Sequence, residues 1–324
     1  MDTQQSTEPI KQLPFNNLLL NSGFVSGSNK WYMYLSTIAF TILTYLLAPS
    51  VTALHLVFAA IKNNVDLESI KNNPDLLFNY ELLGVDRNLV LIALFGIFVV
   101  TLFGFKFALI RFHHKSLISL MTAYEKFRYP RFFYAFFLWS LVIILTTIIE
   151  YFMYPNHFRL DFHFGGFLVS LILMLIFMPV QSGFEEIFFR GYLMQAFALL
   201  FKNAWSPLII TSLLFGLAHM NNPEVAEYGW PMMLSYYVLF ALFMGAITLL
   251  DEGMEMAIGI HFANNLVASV LVCSEHSVIK TYSIFSEKSG NPTFEMITWL
   301  VFAAIVFFIL QKKFEWKNFN LIIK

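Results

Sequence analysis

The stretch GFEEIFFRGYLMQ, residues 183–195, sets Glu185, Glu186 and Arg190 in surroundings that are otherwise almost wholly apolar. Two further apolar stretches each carry a pair four residues apart: Phe215 and His219 in LLFGLAHMNNP, and His261 and Asn265 in IGIHFANNLV. Residues at that spacing share one face of a helix, so each stretch presents one polar edge. Glu186 and Arg190 have the i, i+4 order, acid first, that favours an intrahelical ion pair. Glu185 points about 100° away from Glu186, on a face with Ser182, Phe188, Phe189 and Tyr192. It therefore needs a partner from another helix, or water.

An ionisable group at the centre of a membrane helix costs roughly 2.5–3.5 kcal/mol on insertion scales. Holding helices together by polar contacts does not require a set this large. The set suits attack of water on an amide. A carboxylate in a buried setting, Glu185, can serve as general base, while His and Asn N–H groups can stabilise the developing oxyanion. Glu185, His219 and His261 could instead hold one divalent metal, zinc foremost, with an open position for water. HExxH is absent and no other short-range zinc motif replaces it, which favours Glu-activated water without closing the metal route.

The elements that position these groups follow from composition. Of 324 residues, 58% are hydrophobic and 13% charged, with 38 Phe; a water-soluble domain carries about 25% charged residues. The chain reads as an all-α polytopic transmembrane bundle with an intramembrane polar cavity. Windows of roughly 20 apolar residues predict eight spans, at 31–55, 88–110, 132–154, 165–200, 206–221, 232–250, 254–273 and 294–311. The fourth would be about 54 Å long as one straight helix, and Pro179 is the expected site of a kink. If the fifth and seventh spans run in parallel, His219 and His261 differ in depth by about 9 Å, which tilt or ragged span ends must absorb.

We divide the chain into a polar N-terminal segment (1–30), an accessory membrane region (31–130), a catalytic core (131–311) and a basic tail (312–324). The N-terminal segment lacks the pattern of a secretory signal. Thirteen of the twenty Lys and Arg fall on the side of both termini and six on the other, so the termini are expected in the cytoplasm, and the membrane to be the cytoplasmic one if the host is bacterial. The single cysteine, Cys273, excludes disulfides within the chain and reads as a small apolar helix residue. His113 and His114 are expected to be solvated or lipid-facing, and Asp251, Glu252 and Glu255 to form a solvated helix start. A net charge of −1 gives no reason to expect nucleic acid.

The combination of EExxxR (Glu185, Glu186, Arg190), FxxxH (Phe215, His219) and HxxxN (His261, Asn265), in this order on separate helices, resembles the CPBP family of intramembrane proteases, which includes CAAX proteases and bacteriocin-processing enzymes. The resemblance covers about 165–275. It implies an eight-helix bundle around a conical cavity, with Glu185 as general base on water and His219 positioning that water or a metal. His261 and Asn265 would stabilise the oxyanion, Glu186 and Arg190 would support the site, and Phe215 would pack beside it. Partners would be membrane lipid and a peptide or protein substrate, prenylated in the eukaryotic members. The competing readings are a proton-coupled transporter or peptide-binding scaffold with Glu185 as the proton site, and a member that has kept the bundle and lost activity. Internal repeats, frequent in transporters, are not visible in the sequence.

Overall fold

The structure is a computed structural model that describes residues 15–323 apart from 26, 67, 69–82, 275, 288 and 289. Residues 1–14 of the polar N-terminal segment and most of the polar connection at 60–87 thus lie outside the described residues. Apolar chain in lipid must satisfy its backbone internally, and the described residues fold as an all-α polytopic bundle. Five helices are long and apolar enough to cross a membrane: Arg87–His113, Tyr129–Met153, Phe164–Phe201, Trp230–Asp251 and Pro292–Lys313. Three shorter ones complete the eight expected segments: Trp31–Leu47, Trp205–Ala218 and Glu255–Leu271.

Local chemistry sets several boundaries. Pro49 opens a separate helix, Pro49–Lys62, so the first expected span is two helices. Asp86 caps Arg87–Ala108 by accepting from the Asn88 amide at 2.8 Å, and Asn291 caps Pro292–Lys313 in the same way at 3.0 Å. The 38-residue rod Phe164–Phe201 continues in α geometry through Pro179. It departs from that geometry only at Ile187–Leu193, a π-helical turn that contains Arg190. Lys202, in the left-handed region at φ 55°, stops it.

Trp230–Asp251 is the most buried of the long helices. Around it, Glu255–Leu271 packs against Tyr129–Met153 and Phe164–Glu186, while Trp205–Ala218 packs against Trp230–Asp251. Gly259 permits the approach of Glu255–Leu271 to Tyr129–Met153, since a Cβ there would lie 2.4 Å from the Phe132 carbonyl oxygen. Phe103, Phe107, Phe137 and Phe308 stay exposed on the outside of the bundle, as lipid-facing positions do.

The two ends of the bundle differ. At one end, Asn17 donates to the Leu249 carbonyl at 2.8 Å and Trp316 to Asp251 at 3.2 Å, so Asn17 and Trp316 lie at the same end of the bundle. Here Arg128 reaches Glu255 at 2.6 Å and Asp251 at 2.8 Å, and Arg131 pairs with Asp251. Asp251 and Glu255 are therefore buried in ion pairs, not solvated as the sequence suggested. His113 is likewise fully buried, bonded to Tyr192 Oη at 2.9 Å and the Ser28 carbonyl at 2.8 Å. At the other end three short strands, β1 (Phe158–Leu160), β2 (Val272–Ser274) and β3 (Phe285–Glu287), form a sheet in the order β1-β3-β2. β1 runs antiparallel and β2 parallel to β3. The sheet ties the segment after Tyr129–Met153 to the two strands that follow Glu255–Leu271, and Cys273 sits in β2, not in a helix.

Candidate active site

Glu185 and Glu186 end the α-helical part of the Phe164–Phe201 rod. Arg190 Nη1 lies 3.2 Å from Glu186 Oε1, the i, i+4 pair read from the sequence, with both side chains buried. The π turn begins one residue after Glu186 and holds Arg190 under Phe215, whose ring centre is 4.3 Å from the guanidinium carbon. This stacking adds a cation–π attraction in a desolvated place and explains why Phe215, 2% exposed, belongs to both the packing and the site.

The two histidines approach from helix positions of different kinds. His219 follows the last residue of Trp205–Ala218. At 14 residues that helix is about 21 Å long, short of a ~30 Å hydrocarbon core, so its end delivers His219 inside the bundle. His261 lies in the second turn of Glu255–Leu271. The offset of helix ends absorbs the expected depth difference: His219 Nε2 is 4.0 Å and His261 Nε2 3.6 Å from Glu185 Oε2.

The other ring nitrogens are engaged. His219 Nδ1 is 2.8 Å from the Phe215 carbonyl oxygen, which can only accept, so Nδ1 carries the hydrogen. His261 Nδ1 is 2.7 Å from Glu186 Oε1, the oxygen that also accepts from Arg190. In their neutral forms both imidazoles therefore turn an Nε2 lone pair toward Glu185 Oε2, which itself has no hydrogen-bond partner. Three acceptors facing one another need hydrogens between them. A water supplies two and leaves its own lone pairs free.

Zinc would also suit this donor chemistry, but the spacing does not. Glu185, His219 and His261 do not form a group with all donor atoms within 4.8 Å of one another, a spacing that Glu150, His157 and Glu287 do meet.

Asn265 lies beside them on the His261 face. Its Nδ2 donates to Gln181 Oε1 at 3.2 Å, and Gln181 Nε2 donates to Glu185 Oε1 at 2.5 Å. Asn264 bonds Asn265 at 3.2 Å and is held by Trp139 Nε1 at 3.2 Å. Gln181 and Asn264 were missed in the sequence. Gln181 is four residues before Glu185, a spacing that could have drawn attention to it; the cross-helix bonds of Asn264 leave no local trace. His219 also stacks at 4.6 Å on Tyr237, whose hydroxyl bonds Glu224 and Asn222.

These groups line a cavity of about 630 Å³. Its wall is completed by Tyr45, Phe95, Phe98 and Thr101 from the first two spans and by Phe184, Phe188 and Phe240.

An acid and two imidazoles thus meet at the wall of a largely aromatic cavity inside a polytopic bundle. Residues 165–267 match the family model described as type II CAAX prenyl endopeptidase Rce1-like, so the resemblance read from the motifs is borne out over that segment. A 201-residue stretch is 29% identical to the uncharacterized protein YyaK of Bacillus subtilis (strain 168), covering 60% of this chain and 67% of that protein. No solved structure gives a significant match.

Proposed function

We propose that the chain is an intramembrane endopeptidase of the CAAX type that hydrolyses a peptide bond with a water activated by Glu185. The observation that carries this reading is the unpartnered Glu185 Oε2 facing the Nε2 atoms of His219 and His261. Glu185 accepts one proton of a water whose other hydrogen is held by His219, and the oxygen attacks the scissile carbonyl carbon. The oxyanion receives the second Nδ2 hydrogen of Asn265 and, when His261 is protonated, its Nε2–H. Collapse breaks the C–N bond and Glu185 returns its proton to the departing amine.

Glu186 and Arg190 touch no reacting atom in this scheme. They fix the ring of His261 and balance its charge. The aromatic wall formed by Phe95, Phe98, Phe184 and Phe188 is suited to an apolar chain on the substrate, which favours a lipidated peptide. The distribution of Lys and Arg supports a cytoplasmic location for the end near Asn17 and Trp316.

Detergent-purified wild type and Glu185→Gln, each given a prenylated CAAX peptide and read by mass spectrometry, provide the test. Cleavage by wild type alone is expected. Undiminished cleavage by Glu185→Gln would overturn the reading. Proton movement driven by the peptide in liposomes, without a product, would replace it with a transporter.

A further inference from the structure

The end of the bundle that bears the sheet holds a second cluster, which the hydrolytic scheme does not use. Glu150 lies near the end of Tyr129–Met153, His157 closes the turn Pro155–His157, and Glu287 ends β3, paired in register with Phe158. One donor atom from each lies within 4.8 Å of the other two. Glu150 Oε1 and His157 Nδ1 are both buried with no hydrogen-bond partner. Glu287 is only 8% exposed, and its carboxylate makes no hydrogen bond or ion pair among the described residues.

Buried polar atoms without partners are costly, and two of them, converging with the Glu287 carboxylate on one point, call for a shared partner. No described Lys or Arg supplies it by an ion pair. Stacking of His157 on Tyr154, with ring centres 5.1 Å apart, fixes the imidazole plane.

We propose that Glu150, His157 and Glu287 bind one divalent transition-metal ion, zinc by preference, as a structural site separate from Glu185. One imidazole and two carboxylates match zinc, with water in the fourth position, whereas calcium and magnesium favour all-oxygen shells. The ion would join the end of Tyr129–Met153 to the turn before β1 and to β3. Glu287 also lines the cavity, so the same ion would set the position of the cavity wall at that end. The inference stands independently of the protease reading.

The test is zinc titration of chelator-stripped, detergent-purified full-length chain by calorimetry, with thermal melting as a second readout. Wild type and Glu185→Gln should each bind one zinc per chain and melt at higher temperature with it. Even partners behind the ligands change metal affinity by about 10–100-fold, so His157→Ala and Glu287→Gln should weaken binding at least that much and lose the thermal gain. His157 is half-exposed on the outer turn, so its variant carries the test if the Glu287 variant does not fold. The proposal falls if wild type binds no stoichiometric zinc or if binding survives in His157→Ala. It also falls if binding is lost in Glu185→Gln, which would place the ion at the hydrolytic carboxylate.

Discussion

Glu186 is the residue on which the arrangement of charges turns, because a single oxygen accepts from both Arg190 and His261. Removing one member of a buried ion pair costs about 3–5 kcal/mol, whereas replacing both by apolar groups is often close to neutral. Glu186→Leu should therefore lower the melting temperature in detergent far more than the double variant Glu186→Leu, Arg190→Met. Both should lose hydrolysis, since neither holds the His261 ring. A double variant with full activity would show that Glu186 is not a positioning residue. At this scale the sequence was informative wherever charge stood in apolar surroundings: Glu185, Glu186, Arg190, His219 and His261 were visible for that reason. It misled where pairing is remote. Asp251 and Glu255 looked solvated because their partner Arg128 lies more than 120 positions earlier in the chain.

Among the elements, the contact between Glu255–Leu271 and Tyr129–Met153 decides where His261 sits. Gly259→Ala would set a methyl against the Phe132 carbonyl and the Phe136 amide, both backbone atoms, and overpacking of this kind costs typically about 1–3 kcal/mol. The variant should melt lower and lose activity out of proportion to its stability, because His261 lies two residues on. An unchanged kcat with a lowered melting temperature would separate packing from positioning. The positions of the five long apolar helices were legible from apolar windows. The π turn at Ile187–Leu193, the early end of Trp205–Ala218 and the three strands were not, because each depends on contacts between segments far apart in sequence.

Across the whole molecule, stability should depend on pH through Lys115, in the connection between the Arg87–His113 and Tyr129–Met153 helices. Its ammonium is buried, donating to the Gly23 carbonyl at 2.7 Å and Asn29 at 2.6 Å, and burial lowers its pKa to about 8. Unfolded lysine titrates near 10.4. Between the two values the unfolded chain binds more protons, so stability rises with pH. Below about pH 8 the fold bears the full cost of burying the charge, and that cost is relieved as pH climbs toward 10. Melting curves at pH 7.5 and 9.5 should show wild type gaining on Lys115→Met, by about 2 kcal/mol. A constant difference would mean that the Gly23, Asn29 and Tyr34 oxygens around Nζ fully compensate the charge.

The clasp beneath the His261 helix also bears on how the chain is made. Asp251 is gripped by Arg128 and Arg131, which are synthesised before it, and by Trp316, which comes 65 residues after it. Domains and their parts assemble as the chain emerges, so the arginines can engage Asp251 early, while the indole arrives only when the last membrane helix has been inserted. The bond that fixes the turn leading into the helix of His261 and Asn265 is thereby the last of this clasp that the order of synthesis allows to form.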